Sequence, residues 1–353
     1  MLLHIIPKST FTFGQIEFLD EVFGRDSADH WLYGPPWHGY EEINFANNVH
    51  EERSLLGLFG NPLFKKRLKS CSFILLDYAS LSALFGLAPY LKRTVVQFWG
   101  GDLHSIIHPE RALKVARSRA ALFALKRCAG YLTLTKMEYQ KLVATADLKG
   151  FHFLGGVGAP KRVLRETYLQ IPHMQRGSRV LLGNSATESG RHKDAIDLLS
   201  KFKSCGIEIY VPLSYGNSDY AKEITEYGCR IFGQNFHPVT KYMDKHDYAH
   251  FLSTMDVAVF NYERQQGLGN LFQLFLSGAK VYLAREGVLF DHFSQLGFKV
   301  FSFESISSLD CSSFLHYDAR DRDRNSLLAS PEEIWGRWMS NWSEIRDYLL
   351  EYE

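Results

Sequence analysis

Arg264-Gln265-Gln266-Gly267-Leu268-Gly269-Asn270 stands between two apolar runs of different character. Before it, Asp256-Val257-Ala258-Val259-Phe260-Asn261 reads as a buried strand. After it, Leu271-Phe272-Gln273-Leu274-Phe275-Leu276 reads as a helix. A strand that passes through a polar, glycine-containing turn into a helix N-terminus is a ready anion site. Free backbone N–H groups and the helix dipole both favour a phosphate there. Arg264 adds a planar cationic fork able to grip a diphosphate. In α/β domains ligands sit beyond the carboxyl ends of the strands. The stretch therefore predicts a nucleotide-type ligand in the C-terminal half, against the simpler reading of a loop with a solvated arginine.

The same alternation extends outward. Strands are predicted at 179–182, 208–211, 230–232, 256–261, 280–283 and 299–301, with helices between them, and residues 304–330 read as polar loop. The first half repeats the plan, with strands at 2–6, 31–33, 73–76, 94–98 and 131–134 and helices at 12–22, 62–69, 80–91, 109–128 and 136–145. Strands alternating with helices argue for parallel sheets. Gly155 to Pro160 marks a break, and Pro331 opens a last helix carrying Trp335, Trp338 and Trp342. The expected organisation is α/β, with an N-terminal domain over 1–158 facing an acceptor and a membrane. A C-terminal donor domain over 159–330 follows, and a helix over 331–353 returns to the N-terminal domain.

A chain of 353 residues is longer than one hydrophobic core usually supports, which agrees with two domains. The net charge of +1 hides an uneven distribution: −7 over 1–52, +11 over 53–149 and −3 over 150–353. The middle segment is a candidate for anionic lipid, phosphate or nucleic acid. It includes Arg111, Lys114, Arg117, Arg119, Lys126 and Arg127, interleaved with apolar residues in a basic amphipathic pattern that suits a membrane surface. The alternative is a helix packed on its own sheet with a solvated basic face. No apolar run approaches the roughly 20 residues needed to span a bilayer. The start, Met1 to Pro7, is too soon broken to read as a signal peptide. Five scattered cysteines without a CxxC pair predict a reducing, cytoplasmic setting with neither a disulfide frame nor a zinc site.

Three more strand ends carry candidate chemistry. Trp99-Gly100-Gly101-Asp102 would leave Asp102 at a sheet edge, as a general base or a sugar-hydroxyl partner, unless it is a turn or cap residue. Gly183-Asn184-Ser185-Ala186-Thr187 offers small and hydroxyl residues for close approach to phosphate, or an ordinary cap. Tyr215 follows another strand and would stack on a base or touch a phosphate, unless Val211 to Gly216 is a plain turn. Asp321-Arg322-Asp323 has the form of a metal-binding D-x-D, but it lies in a charge-alternating loop with no strand before it. Without a G-x-G-x-x-G after the first strand a dehydrogenase is not expected, and no nucleic-acid motif accompanies the basic segment.

Two βα domains with a returning helix are the plan of a GT-B glycosyltransferase. The motifs Trp99-Gly100-Gly101-Asp102-Leu103, Gly183-Asn184-Ser185, Val211-Pro212 with Tyr215, Asp247-Tyr248, Arg264 to Gly269, Gly278 and Arg285-Glu286 are the matching residues. In these the chain resembles the TDP-Fuc4NAc:lipid II Fuc4NAc transferase family, glycosyltransferase family 56, of enterobacterial common antigen synthesis. The resemblance implies a GT-B enzyme with no metal cofactor, on the inner face of the bacterial inner membrane. It would move a deoxy-amino sugar from a nucleoside diphosphate to an undecaprenyl-diphosphate-linked saccharide. Asn184 and Ser185 would then cradle phosphate. Arg264 and the Gly267, Gly269, Asn270 turn would neutralise the leaving diphosphate. Gln265 and Gln266 would bond phosphate or sugar, Glu286 would hold sugar hydroxyls, and Asp102 would serve the acceptor. A nucleotide-sugar epimerase or hydrolase on the same fold, or a non-catalytic nucleotide-sugar or glycan binder, are the alternatives.

Overall fold

The computed structural model describes residues 1–37, 40, 47–109, 112–156, 158–171 and 177–351. They form two compact units, one of residues 1–163 with 335–353 and one of residues 164–334. The expected boundaries at 158/159 and 330/331 fall a few residues earlier. The chain changes unit inside two helices, Lys161–Thr167 and Pro331–Glu351.

Unit 1 is built on seven parallel strands: β1 (Leu2–Pro7), β2 (Ala28–Tyr33), β3 (Val49–Glu51), β4 (Phe73–Asp77), β5 (Thr94–Gln97), β6 (Gly130–Thr133) and β7 (Phe151–Leu154). Their order is β3-β2-β1-β4-β5-β6-β7. The central strands are buried on both faces, as a parallel sheet covered by helices requires. Leu3, Ile5, Ile74, Leu76 and Val96 pack on one side. On the other, Leu2, Phe73, Leu75, Val95 and Leu132 meet helix Thr12–Phe23 and the last helix through Phe18, Trp342 and Ile345. Unit 2 is a six-stranded parallel sheet of β8 (Arg179–Leu182), β9 (Glu208–Pro212), β10 (Phe236–Val239), β11 (Val257–Phe260), β12 (Lys280–Leu283) and β13 (Phe301–Ser302). Its order is β10-β9-β8-β11-β12-β13. In both sheets the winding reverses once, between β1 and β4 and between β8 and β11. Such reversals open a crevice at the carboxyl ends of the strands, where doubly wound folds bind ligands.

Three expectations need correction. Residues 230–232 are not a strand but the end of helix Ser218–Phe232, whose buried positions Ile224, Gly228 and Phe232 repeat with helical spacing. Gly233, at φ 61°, ends it. The true strand is β10, whose Pro238 is tolerated because β10 lies at the sheet edge. Residues 304–330 are largely helical, with Asp310 and Asp318 capping helices Cys311–Leu315 and Ala319–Leu328. Asp321 and Asp323 therefore lie on a helix, not in a loop. Finally, Cys205 and Cys311 are paired as a disulfide, with Cα atoms 6.3 Å apart, where no disulfide was expected. A separation of 106 residues gives no local signal for that pairing. No described helix is long and apolar enough to cross a membrane.

Candidate functional site

The Arg264 stretch joins β11 to helix Leu268–Leu276, with Gly267 at its N-cap in the left-handed region at φ 72°. Gly267 lies against the Asn184 side chain, 3.2 Å from where a Cβ would stand. Asn184 and Ser185 follow β8, the strand beside β11, so both loops open on the unit 2 switch point.

Gln266 ties the loops together. Its Nε2 donates to Asn184 Oδ1 at 3.1 Å, Ser185 Oγ at 2.8 Å and Thr187 Oγ1 at 2.9 Å. Its Oε1 accepts from Ser189 Oγ at 3.1 Å. The Asn184 amide donates to Tyr215 Oη at 2.6 Å, bringing in the loop after β9. Gly216, at φ 113°, lets that loop bridge to Ala186. Asn270 donates to Tyr248 Oη at 2.8 Å.

Arg264 is half-buried at the rim of this web. Its Nε donates to Ser189 Oγ at 3.2 Å, and no carboxylate lies within ion-pair distance among the described residues. Burial lowers its pKa from the ordinary guanidinium value, the mark of a desolvated cation short of a counter-charge. Arg264 and the free amides of the helix start are thus arranged to receive an anion.

The structure brings together Asn184, Ser185, Tyr215, Arg264, Gln266 and Gly267, while Asn270, in the first turn of the helix that Gly267 caps, bonds to Tyr248. Gln265 is partly exposed on the same turn and Gly269 is exposed in the first helical turn. Glu286 is exposed on the loop after β12 and shares none of the web's hydrogen bonds among the described residues. That loop lies beside the site, because Gly287 packs against the Tyr262 carbonyl. Tyr262 was missed from the sequence. Its buried hydroxyl donates to Asn184 Oδ1 at 2.6 Å and accepts from the Asn184 N–H at 2.6 Å, holding the phosphate-loop candidate from below. Its position two residues past β11 was the available signal.

Asp102 sits in the first turn of helix Gly101–Ile107 and is only 3% exposed. Its Oδ1 accepts from the Trp99 N–H at 2.9 Å and its Oδ2 from the Ala79 N–H at 2.8 Å. Burial raises its pKa to about 6 despite these bonds. Each oxygen thus accepts one backbone N–H, which ties the loop after β5 to the loop after β4. Lys114, Arg117 and Arg119 lie exposed on helix Ala112–Leu125, with Lys126 and Arg127 just past it. Leu113 and Phe123 are exposed among them, and the Arg127 guanidinium lies 3.8 Å from the Phe123 ring centre. Arg111 falls outside the described residues.

Two doubly wound parallel units, the second with an anion-ready switch point, make the GT-B fold of glycosyltransferases. Residues 157–309 match the family described as 4-alpha-L-fucosyltransferase, glycosyl transferase group 56, the family the motifs resemble. Solved structures of the same fold include HepE of Anabaena in complex with UDP and glucose, at 14% identity and TM-score 0.62, covering 100% of both chains. An alpha,alpha-trehalose-phosphate synthase (UDP-forming) from Burkholderia vietnamiensis aligns at 9% identity and TM-score 0.64, again over 100% of both chains. WaaG, a glycosyltransferase involved in lipopolysaccharide biosynthesis, aligns at 11% identity and TM-score 0.58, covering 98% of this chain and 99% of that one.

Proposed function

We propose that this glycosyltransferase moves a deoxy-amino sugar of the Fuc4NAc type from a nucleoside diphosphate, TDP in preference, to an undecaprenyl-diphosphate-linked saccharide of a bacterial surface glycan. The observation that carries the donor reading is Arg264, half-buried with no carboxylate partner among the described residues, beside a glycine-led helix N-terminus. The group 56 match over that segment and the UDP complex of HepE support it. Arg264 and the helix dipole supply positive charge to the departing diphosphate, so transfer proceeds without a metal ion. Asn184, Ser185 and Gln266 position the phosphates, Gln265 and Glu286 meet the sugar, and Tyr215 flanks the nucleotide.

A melting-temperature screen of TDP, UDP, GDP and CDP, with and without EDTA, tests this reading. A ligand bound only by the folded state raises the melting point by mass action. TDP is expected to give the largest shift, unchanged by EDTA. A flat response to all four would refute the donor site, and a shift lost in EDTA would refute metal independence.

Helix Ala112–Leu125 and its exposed basic and apolar residues support docking on the inner face of the inner membrane. Near a membrane surface each lysine or arginine contributes about 1 kcal/mol toward anionic lipid, screened by salt. The protein is expected to sediment with vesicles containing phosphatidylglycerol and not with pure phosphatidylcholine vesicles. Charge reversal at Arg117 and Lys126 should release it. Equal binding to both vesicle types would sink the electrostatic docking.

A further inference from the structure

We propose that Phe11, Trp37, Tyr78 and Trp99, at the switch point of the unit 1 sheet, form a stacking subsite for a pyranose ring of the acceptor saccharide, with Asp102 as its positioning residue. The word acceptor rests on the transferase reading above; the ring-binding site rests on unit 1 alone.

The four rings reach one place from four strand ends. Phe11 follows β1, Trp37 follows β2, Tyr78 follows β4 and Trp99 follows β5. Trp99 is the centre, with ring centroids 6.0 Å from Phe11, 5.9 Å from Trp37 and 6.2 Å from Tyr78, each near perpendicular. Trp37 and Tyr78 meet at 5.5 Å. Phe11 is 58% exposed and Trp37 42%, so this cluster does not close on itself as a core does. Edge-to-face rings leave faces free, and an aromatic face is electron-rich. The C–H face of a sugar ring is its complement.

Two features separate this cluster from surplus core. Tyr78 holds φ 65°, a region that costs a non-glycine residue roughly 1–3 kcal/mol and that gathers at ligand clamps. The Trp99 indole N–H is buried and finds no acceptor among the described residues. A buried donor left unpaired costs about 1–3 kcal/mol, which a sugar hydroxyl entering beside the ring would relieve.

Polar groups border the same place. Lys8 Nζ donates to Glu51 at 2.7 Å, and the Tyr40 hydroxyl donates to Glu51 at 2.7 Å. Backbone bonds run from the Trp37 N–H to the Lys8 carbonyl and from the Tyr40 N–H to the Trp37 carbonyl, both 3.0 Å. Aromatic faces beside a charged hydrogen-bonding rim match an amphipathic ring. A polyprenyl chain would use neither the rim nor the indole N–H.

Asp102 explains how the cluster is held. By accepting from Trp99 and Ala79 it clamps the β5 loop to the β4 loop, and each loop carries one of the rings. An asparagine there replaces one acceptor oxygen with a donor that opposes an N–H, so one loop is released.

Intrinsic tryptophan fluorescence of the full chain tests the inference, titrated with methyl pyranosides of neutral, N-acetylamino and uronic sugars and separately with farnesyl diphosphate. At least one pyranoside is expected to give a saturable change that Trp37→Ala abolishes, while the melting-point shift by nucleoside diphosphate is kept. In the transfer assay Trp37→Ala and Asp102→Asn should each raise the acceptor KM about tenfold or more, with donor KM and kcat nearly unchanged. A response to farnesyl diphosphate alone, or to no probe, overturns the proposal. So does a fall of about 10²-fold or more in kcat at unchanged acceptor KM in Asp102→Asn, the signature of a general base. If no donor supports transfer while pyranoside binding still depends on Trp37, the transferase reading falls and the subsite stands.

Discussion

Replacing Arg264 by alanine is expected to lower kcat/KM for sugar transfer by about 10²- to 10³-fold, the range for losing one preorganised donor to developing negative charge. The guanidinium is the cation that the web of Gln266, Ser185 and Ser189 leaves uncommitted, holding Ser189 Oγ through Nε alone among the described residues. Its other nitrogens are therefore available to phosphate oxygens. Charge on the diphosphate grows as the glycosidic bond breaks, so the loss falls on kcat more than on donor KM. The fold should survive, because Ser189 still donates to Gln266 and Arg264 makes no salt bridge among the described residues. Lysine should recover only part of the rate, since a point charge cannot reproduce a bidentate fork. Steady-state kinetics with varied donor decide the matter. A kcat/KM within threefold of the parent would remove Arg264 from the chemistry.

Trp342→Ala should destabilise unit 1 by about 3–5 kcal/mol, the range for truncating a buried tryptophan. Trp342 is 1% exposed and packs edge-on against Phe18 and Phe23, with ring centroids at 6.3 and 6.4 Å. Its Nε1–H donates to the Gly156 carbonyl at 3.3 Å, so alanine leaves that carbonyl short of a partner as well as opening a cavity. Against a typical total of about 5–15 kcal/mol this loss is a large fraction. Urea unfolding should show the unit 1 transition moving to lower denaturant while nucleoside diphosphate still protects unit 2. Phenylalanine should restore much of the loss. A shift below about 1 kcal/mol would mean the helix contributes little, contrary to its burial.

The alternation of short apolar runs with amphipathic ones was enough to read parallel sheets, because that pattern is local. Helix Lys136–Thr145 was found at its true ends, where Thr135 and Glu138 form a reciprocal capping box. The Arg264 turn was readable for the same reason, its strand, glycines and helix being contiguous. What escaped depends on distant partners. β10 hid behind Pro238, admissible only because nothing pairs with its outer edge in the sheet order. Tyr262 earns its role from Asn184, 78 residues away. The bond from the Ala79 N–H to Asp102 spans 23 residues and leaves no local signal, and Cys205 finds Cys311 only in the folded unit.

The last helix completes a unit whose other residues end at 163, so unit 1 is discontinuous in the chain. Translation therefore exposes Phe18, Phe23 and Phe153 long before Trp342, Ile345 and Leu349 exist to cover them. At about 5–20 residues per second the wait for Trp342 lasts roughly 10–40 s from Phe153 and roughly 15–65 s from Phe18. Ribosome-stalled chains ending before residue 335 should be cleaved in unit 1 far faster than released protein. During that interval an apolar face of the nascent chain waits for its own C-terminus, and chaperone binding there would shield it.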